Sequence, residues 1–260
     1  MLAIERRNKI LSRLKAEKHV VVSELAKQFD VSEETIRRDL DKMEKEGLVV
    51  KSYGGAVLSE NSAAELPFVV RKRSNVAEKQ AIAEIVASLI EDGDSLILDA
   101  SSTAVFIAQK LKSKKNITLI TNSVEVLMEL SDVSGWRILS TGGTLKEDSC
   151  ALIGPSAENM LSAYHVGKVI ISCKGVDEDG GFSDSNDNHA SLKRRMLACG
   201  AQKIFAVDSS KFGKRSFIEI SGFDGIDAVI TDKRPPDHWV KLLVSHGVEI
   251  LSPEPAAEEQ

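Results

Sequence analysis

Apolar residues recur at helical spacing over positions 3 to 17, where Ile4, Ile10, Leu11 and Leu14 stand among charges, and predict an amphipathic first helix. "HVVV" (19–22) follows as a short extended bridge, and Ser23 is placed to cap a helix of about two turns over "ELAKQF". After a turn at Asp30 and Val31, Ser32 caps a third helix, with Glu33 and Glu34 near its positive end, and Gly47 stops it. "LVVKSYGGAVL" (48–58) reads as two short β runs around Gly54 and Gly55, a small hairpin. Helix, helix, turn, helix and hairpin in under 60 residues is the layout of a winged helix-turn-helix.

Residues 59–75, "SENSAAELPFVVRKRSN", have no clear periodicity and contain Pro67, so they read as a linker or arm, with Phe68 and Arg71 available to dock it onto the second domain. From Val76 the pattern alternates between helices and apolar β runs. "EKQAIAEIVASLI", "TAVFIAQKLK" and "SVEVLMEL" read as helices, as do stretches around 157–162, 190–199 and 237–246. "DSLILDA", "ITLIT", "WRILS", "KVIIS", "KIFAVD", "DAVIT" and "VEIL" read as strands. This alternation predicts an α/β domain built on a mostly parallel sheet. The expected organisation is therefore residues 1–58, a winged helix-turn-helix, residues 59–75, a linker or arm, and residues 76–260, an α/β domain.

Composition narrows the class. Hydrophobic residues make up 42% and charged residues 28% of the 260 positions, ordinary for a protein with a real apolar core. No apolar run approaches the ~18 residues that span a bilayer, and no apolar signal core follows the N-terminal charges, so a cytoplasmic protein is expected. Cys150, Cys173 and Cys199 are odd in number and widely spaced, which argues for buried thiols in a reducing compartment. The five histidines are scattered, and no metal site or cofactor is expected. The net charge of −5 is uneven: residues 1–58 hold 12 Lys/Arg against 10 Asp/Glu, and the remainder 22 against 29. A mildly basic N-terminal segment on an acidic chain is compatible with nucleic-acid binding, because local charge meets the phosphates.

On the third helix Ile36, Leu40 and Met43 share the face that would bury, while Arg38, Lys42 and Lys45 lie opposite and Thr35 and Arg37 flank them. Such a helix can seat in a major groove, where arginine suits guanine and phosphate and threonine suits base edges or a thymine methyl. Ser32, Thr35, Arg37, Arg38 and Lys42 form the expected reading surface, with Lys51 and Tyr53 of the hairpin beside the DNA backbone. A lone Arg-Arg pair is usually a solvated face; the surrounding layout favours DNA here.

In open α/β sheets ligands sit beyond the carboxyl ends of the strands. There the sequence places Asp99, Ser101, Ser102 and Thr103, then Thr121, Asn122 and Ser123, then Gly142 and Gly143, then Lys174 and Gly175, and finally Asp208 and Lys211. Hydroxyls and free amides at a helix start cradle phosphate, and glycines admit backbone amides to a ligand. Ser102 alone reads as a cap. Asp99 and Asp208 suit sugar hydroxyls, Lys174 and Lys211 suit a phosphate, and Lys193 and Arg194 read as solvated helix charges. A phosphorylated sugar or polyol is the expected ligand.

These stretches together resemble the DeoR family of bacterial transcriptional regulators over nearly the whole chain. The likeness rests on "VSELAKQFDVSEETIRRDLDKMEKEGLVVKSYGGAVL" and on "IAEIVASLIEDGDSLILDASST", "LITNS", "STGGTL", "LIGPSA" and "AVDSSKFGK". The resemblance implies a winged helix-turn-helix joined to a sensor domain similar to ribose-5-phosphate isomerase and CoA transferase folds. It also implies a repressor of a sugar-catabolic operon that answers to a phosphorylated sugar. Two positions depart from the family pattern. Ser101 stands where a glycine usually precedes the two hydroxyls, and Lys174 where many members have a small residue; both bear on ligand choice. A homodimer or homotetramer on double-stranded operator DNA is expected. The rival readings are a sugar-phosphate isomerase with an accessory DNA-binding segment, its base drawn from Asp177, Asp179 or Asp184, and an adaptor whose winged helix contacts protein.

Overall fold

The computed structural model describes residues 3–17, 19–45, 48–58, 68–146 and 149–253. It divides into two compact units, Met1–Pro67 and Phe68–Gln260. No helix among the described residues is long and apolar enough to cross a membrane.

The first unit runs α1 (Ala3–Glu17), β1 (His19–Val21), α2 (Val22–Phe29), α3 (Glu33–Lys45), β2 (Val49–Ser52) and β3 (Gly55–Leu58). The three strands form an antiparallel sheet in the order β1-β3-β2. Ile36, Leu40 and Met43 are buried with Ile10, Leu14 and Leu25, so one stripe of α3 closes the core against the other two helices. The tip of the β2–β3 hairpin is Tyr53-Gly54, where Gly54 has φ +83°. A Cβ on Gly55 would stand 2.0 Å from the Val20 carbonyl oxygen, so the approach of β3 to β1 admits glycine there. Ser23 is not the cap of α2: the helix starts at Val22, two residues earlier than expected, after Val21 and with no side-chain cap. Beneath α3, Arg6 Nε donates to Asp39 Oδ2 at 2.5 Å, a buried pair tying α1 to α3. The proposed stop at Gly47 lies outside the described residues.

The second unit begins at Phe68, inside the stretch read as a linker. Residues 59–67 lie outside the described residues, but Phe68–Arg73 forms a short helix, α4, whose Phe68 is buried and which packs on α6. After it come α5 (Val76–Ser88), β4 (Ser95–Leu98), α6 (Ser102–Leu111), β5 (Thr118–Thr121), α7 (Val124–Glu129) and β6 (Arg137–Ser140). Next are β7 (Thr144–Lys146), β8 (Ala151–Ile153), α8 (Pro155–Leu161), β9 (Val166–Ile171), β10 (Gly175–Asp177), β11 (Gly181–Asp184), α9 (Asp187–Cys199) and β12 (Gly200–Ala206). The chain closes with β13 (Ile218–Ser221), β14 (Ala228–Ile230), α10 (Asp237–Ser245) and β15 (Glu249–Leu251).

Seven strands form one sheet in the order β15-β14-β12-β9-β4-β5-β6, every neighbouring pair parallel. Each central strand buries both faces, which is why these strands read as unbroken apolar runs. Leu96, Leu98, Leu119, Ile170 and Ile204 face a core with α4, α5, α6 and α7. Ile97, Ile120, Val169, Ile171 and Phe205 face a second core with α8, α9 and α10. The strict alternation follows from the two-residue strand period. The chain lays β4, β5 and β6 outward in one direction, then returns to place β9 on the other side of β4 and proceeds to β12, β14 and β15. The switch point, where ligands collect in such sheets, lies between the carboxyl ends of β4 and β9. Two small additions escaped the sequence pattern: the β7–β8 hairpin and an antiparallel sheet β10-β11-β13. Segments such as Thr144–Lys146, Gly175–Asp177 and Gly181–Asp184 lack the apolar run that marks the equally short strands of the main sheet.

Candidate functional site

On α3 Arg37, Arg38 and Lys42 of the expected face are exposed and Thr35 is half-buried. Ser32 caps the helix, its Oγ accepting from the Thr35 amide at 3.2 Å and lying 2.9 Å from the Thr35 hydroxyl. Arg37 reaches back to Glu33 at 2.7 Å and Arg38 to Glu34 at 3.4 Å, each pair one helical turn apart on the surface. Lys42 is exposed on the same helix; the Lys45 side chain lies outside the described residues. Lys51 of β2 bridges Asp41 at 2.6 Å and Glu44 at 3.2 Å. Hydrogen bonds donated to Asp41 and then Glu44 hold the Lys51 ammonium pKa above its usual value. Tyr53 is fully exposed at the hairpin tip.

The second site lies at the switch point. Asp99, directly after β4, is buried; one carboxylate oxygen accepts from the Ser101 amide at 3.3 Å. The other accepts from the Ser172 amide at 3.1 Å, beyond β9, and lies 3.2 Å from Lys193 Nζ. Lys193 itself donates to Asp184 Oδ2 at 2.6 Å and to the Ser172 carbonyl at 2.7 Å. One ammonium thus spans β4, β9 and β11 with two buried carboxylates, a correction to the solvated role expected of Lys193. Arg194 is exposed as expected, and its guanidinium meets the Glu219 carbonyl. Burial would strip the Lys193 proton, but Asp184 and then Asp99 outweigh it and raise its pKa. Burial likewise opposes ionisation of Asp184, yet Lys193 and Lys174 pull its pKa below the usual carboxylate value. Of the three carboxylates considered as a base, Asp184 is buried in this ion pair, whereas Asp177 is half-buried and Asp179 exposed. The signal was present: Ala190, Lys193, Met196 and Leu197 fall on one helical stripe, and that stripe is buried.

Around this cluster the other strand ends take distinct parts. Ser101, not Ser102, caps α6, accepting from the Ala104 amide at 3.1 Å. Ser102 and Thr103 are buried in its first turn, where amides have no intrahelical partners. Thr121 accepts from the Ser123 amide at 3.1 Å, and Ser123 caps α7 through the Val126 amide at 3.2 Å. Between them Asn122, 3% exposed, donates Nδ2 to the Leu152 carbonyl at 3.1 Å. Its side-chain oxygen has no hydrogen-bond partner among the described residues. Gly142 and Gly143 follow β6 with φ +64° and +107°. Lys174 is half-buried beside Asp184, while a Cβ on Gly175 would stand 2.3 Å from the Lys214 carbonyl oxygen, so that glycine serves packing. Asp208, beyond β12, accepts from the Ser210 amide at 3.1 Å and from Asn75 Nδ2 at 3.1 Å. Burial raises its pKa, but Lys211, the Ser210 hydroxyl and Asn75 together bring it below normal. Half-buried Lys211 therefore stands against a carboxylate of its own chain. Buried Lys79 of α5 donates to the carbonyls of Arg71 and Ser74, and burial lowers its pKa to about 8 against the pull of Asp208.

The two units match two family models. Residues 6–62 match a DeoR-like helix-turn-helix domain and residues 74–233 the DeoR C terminal sensor domain. The chain belongs to the DeoR family. It is similar to the HTH-type transcriptional regulator YulB of Bacillus subtilis (strain 168), 43% identical over 97% of both chains. It is also similar to the HTH-type transcriptional repressor GlcR of the same organism, 35% identical over 95% of both chains. The glycerol-3-phosphate regulon repressor of Escherichia coli (strain K12) is 30% identical over 96% of this chain and 99% of its own. A solved ribose 5-phosphate isomerase from Methanocaldococcus jannaschii aligns with 52% of this chain and 53% of its own, at 16% identity and a TM-score of 0.38. This DeoR-family chain is a DNA-binding transcriptional regulator, and its relatives are regulators rather than enzymes. The isomerase reading falls on that ground.

Proposed function

We propose that this DeoR-family regulator is a cytoplasmic repressor of a sugar-catabolic operon, released from its operator by a phosphorylated sugar bound at the carboxyl ends of β4, β5, β6, β9 and β12. The observation that carries the reading is Asn122. Its side-chain amide oxygen is buried and, among the described residues, unpartnered, one strand from the switch point, and a buried acceptor left in that state costs about 1–3 kcal/mol. A sugar hydroxyl supplies the missing donor. The first-turn amides of α6 at Ser102 and Thr103 suit the phosphate, with Lys174 and Lys211 as the adjacent cations. The names of the glycerol-3-phosphate regulon repressor and of GlcR support a phosphorylated effector and a repressing role. On DNA, Arg37, Arg38, Thr35 and Lys42 read the major groove while Lys51 and Tyr53 meet the backbone. A homodimer or homotetramer would present two such helices to paired half-sites.

The test is a titration of the full-length protein, bound to DNA from its own upstream region, with a panel of sugars and their phosphates. Release by one phosphorylated sugar and not by its parent sugar supports the reading. If no sugar phosphate alters DNA binding, the effector assignment fails; if one strengthens binding, the role is activation or co-repression. Equal affinity for both arrangements of the oligomer would shift nothing, so release requires the effector to prefer the form that leaves DNA.

A further inference from the structure

The charge on the DNA-reading helix runs against what DNA binding alone would ask for. Helix α3 carries Glu33, Glu34, Asp39, Asp41 and Glu44 against Arg37, Arg38, Lys42 and Lys45, a balance of −1. Asp39 is engaged by Arg6 in the core. The other acids stay on the surface, and they are paired. Glu33 holds Arg37 and Glu34 holds Arg38, while Asp41 and Glu44 share Lys51. Of the four cations assigned to the DNA surface with described side chains, only Lys42 has no carboxylate within ion-pair distance among the described residues.

Acids in the first turn gain modestly from the helix N-terminus, but the fold does not require that they pair with Arg37 and Arg38. The Arg37 and Arg38 side chains are 58% and 78% exposed, and those of Glu33 and Glu34 48% and 64%, so the pairs add little to folding. Their placement does something else. Acid N-terminal to base at i,i+4 is the favoured orientation of such a pair on a helix, and both acids sit in the first turn, the end of a recognition helix that approaches base edges. Each pair engages one nitrogen of its guanidinium, Nη2 of Arg37 and Nε of Arg38, so a phosphate contact through the other donors either competes with the pair or brings the carboxylate within a Debye length of the phosphate chain. Sequence-independent affinity comes almost wholly from cation–phosphate contacts, so the acids weaken it selectively. A guanine edge offers two acceptors in the geometry a guanidinium fits, and there the exchange of partners is offset by a contact that random sequence lacks.

We propose that Glu33 and Glu34 are specificity-determining residues that hold Arg37 and Arg38 away from indiscriminate phosphate contact and lower binding to non-operator DNA. The experiment selects a 30-base-pair duplex from a random pool with the full-length wild-type protein. It then measures affinity for that duplex and for the unselected pool across a salt series. For Glu33→Gln/Glu34→Gln the expected result is about a tenfold gain on pool DNA, with the salt slope steepened by about 1–2, roughly 0.9 per phosphate engaged. The selected duplex should gain less than about threefold, so the specificity ratio falls. Glu33→Asp/Glu34→Asp, which keeps the charge, should leave pool affinity low. Glu84→Gln/Glu249→Gln removes the same net charge from two exposed sites of the second unit and should leave the ratio unchanged. A ratio unaltered in the glutamine pair, or altered equally by the second-unit pair, overturns the proposal. Glu34→Gln alone serves where the double variant loses helix content, with about half the effect expected.

Discussion

Replacing Lys193 by methionine keeps the length of the side chain and removes its charge and three polar contacts. In the native protein the ammonium faces Asp184 at 2.6 Å and Asp99 at 3.2 Å, with both carboxylates at 1% exposure. Removing one partner of a buried ion pair costs about 3–5 kcal/mol, because the charge left behind has neither water nor counter-ion. With an m-value of about 3 kcal/mol/M in urea, the midpoint should fall by about 1–1.7 M. Both tryptophans, Trp136 and Trp239, lie in the second unit, so tryptophan fluorescence during urea unfolding reports this unit alone. The pH dependence gives a second readout. In the native protein the depressed pKa of Asp184 contributes stability above its unfolded pKa, and that contribution is lost as pH falls through the folded value. In Lys193→Met the same carboxylate is buried without its ammonium, its pKa rises, and protonation on acidification relieves the penalty. The difference between variant and wild type should therefore shrink from pH 7.5 to pH 5, and Asp184→Asn/Lys193→Met should recover part of the loss. A cost under about 1 kcal/mol, or one independent of pH, would refute the account of Lys193 as the charge that closes the switch point.

Three further outcomes are expected. Arg38→Ala should lose about 1–3 kcal/mol of discrimination between the selected duplex and a single-base variant of it, and an unchanged footprint would remove Arg38 from base reading. Gly55→Ala should destabilise the first unit by about 2 kcal/mol or more, since the added carbon overlaps the Val20 carbonyl at 2.0 Å; a melt followed by far-UV circular dichroism checks this. Lys79 titrates near 8 in the fold, so between that pH and its unfolded pKa the unfolded chain binds more protons and stability rises with pH. Urea midpoints from pH 7.5 to 10 should show this rise in the wild type and a flatter curve in Lys79→Met.

The sequence by itself determined the order of elements and the division of labour. Ile36, Leu40 and Met43 could face only inward at helical spacing, which left Arg37, Arg38 and Lys42 outside. The apolar runs ending at Leu98, Thr121 and Ile171 could only be buried strands. Repeat patterns of this kind depend on neighbours along the chain, and the sequence carries them in full. It also carried the likeness to the DeoR family, through motifs long enough to be specific. What the tertiary structure alone decided is which strand ends meet. Strand order places β9 beside β4 across more than sixty residues of intervening chain, and nothing local encodes that pairing. Lys193 consequently read as one charge in a polar helix, although its stripe was apolar, because its partners Asp99 and Asp184 come from other segments. Phe68–Arg73 read as linker because six residues show no period, yet burial of Phe68 among α5 and α6 makes it part of the second unit's core. The acids on α3 were visible as composition, but their pairing with Arg37, Arg38 and Lys51 is a matter of side-chain reach. Local periodicity fixed what each segment is; the partners of Asp99, Asp184 and Lys193 were fixed by contacts between segments far apart in the chain.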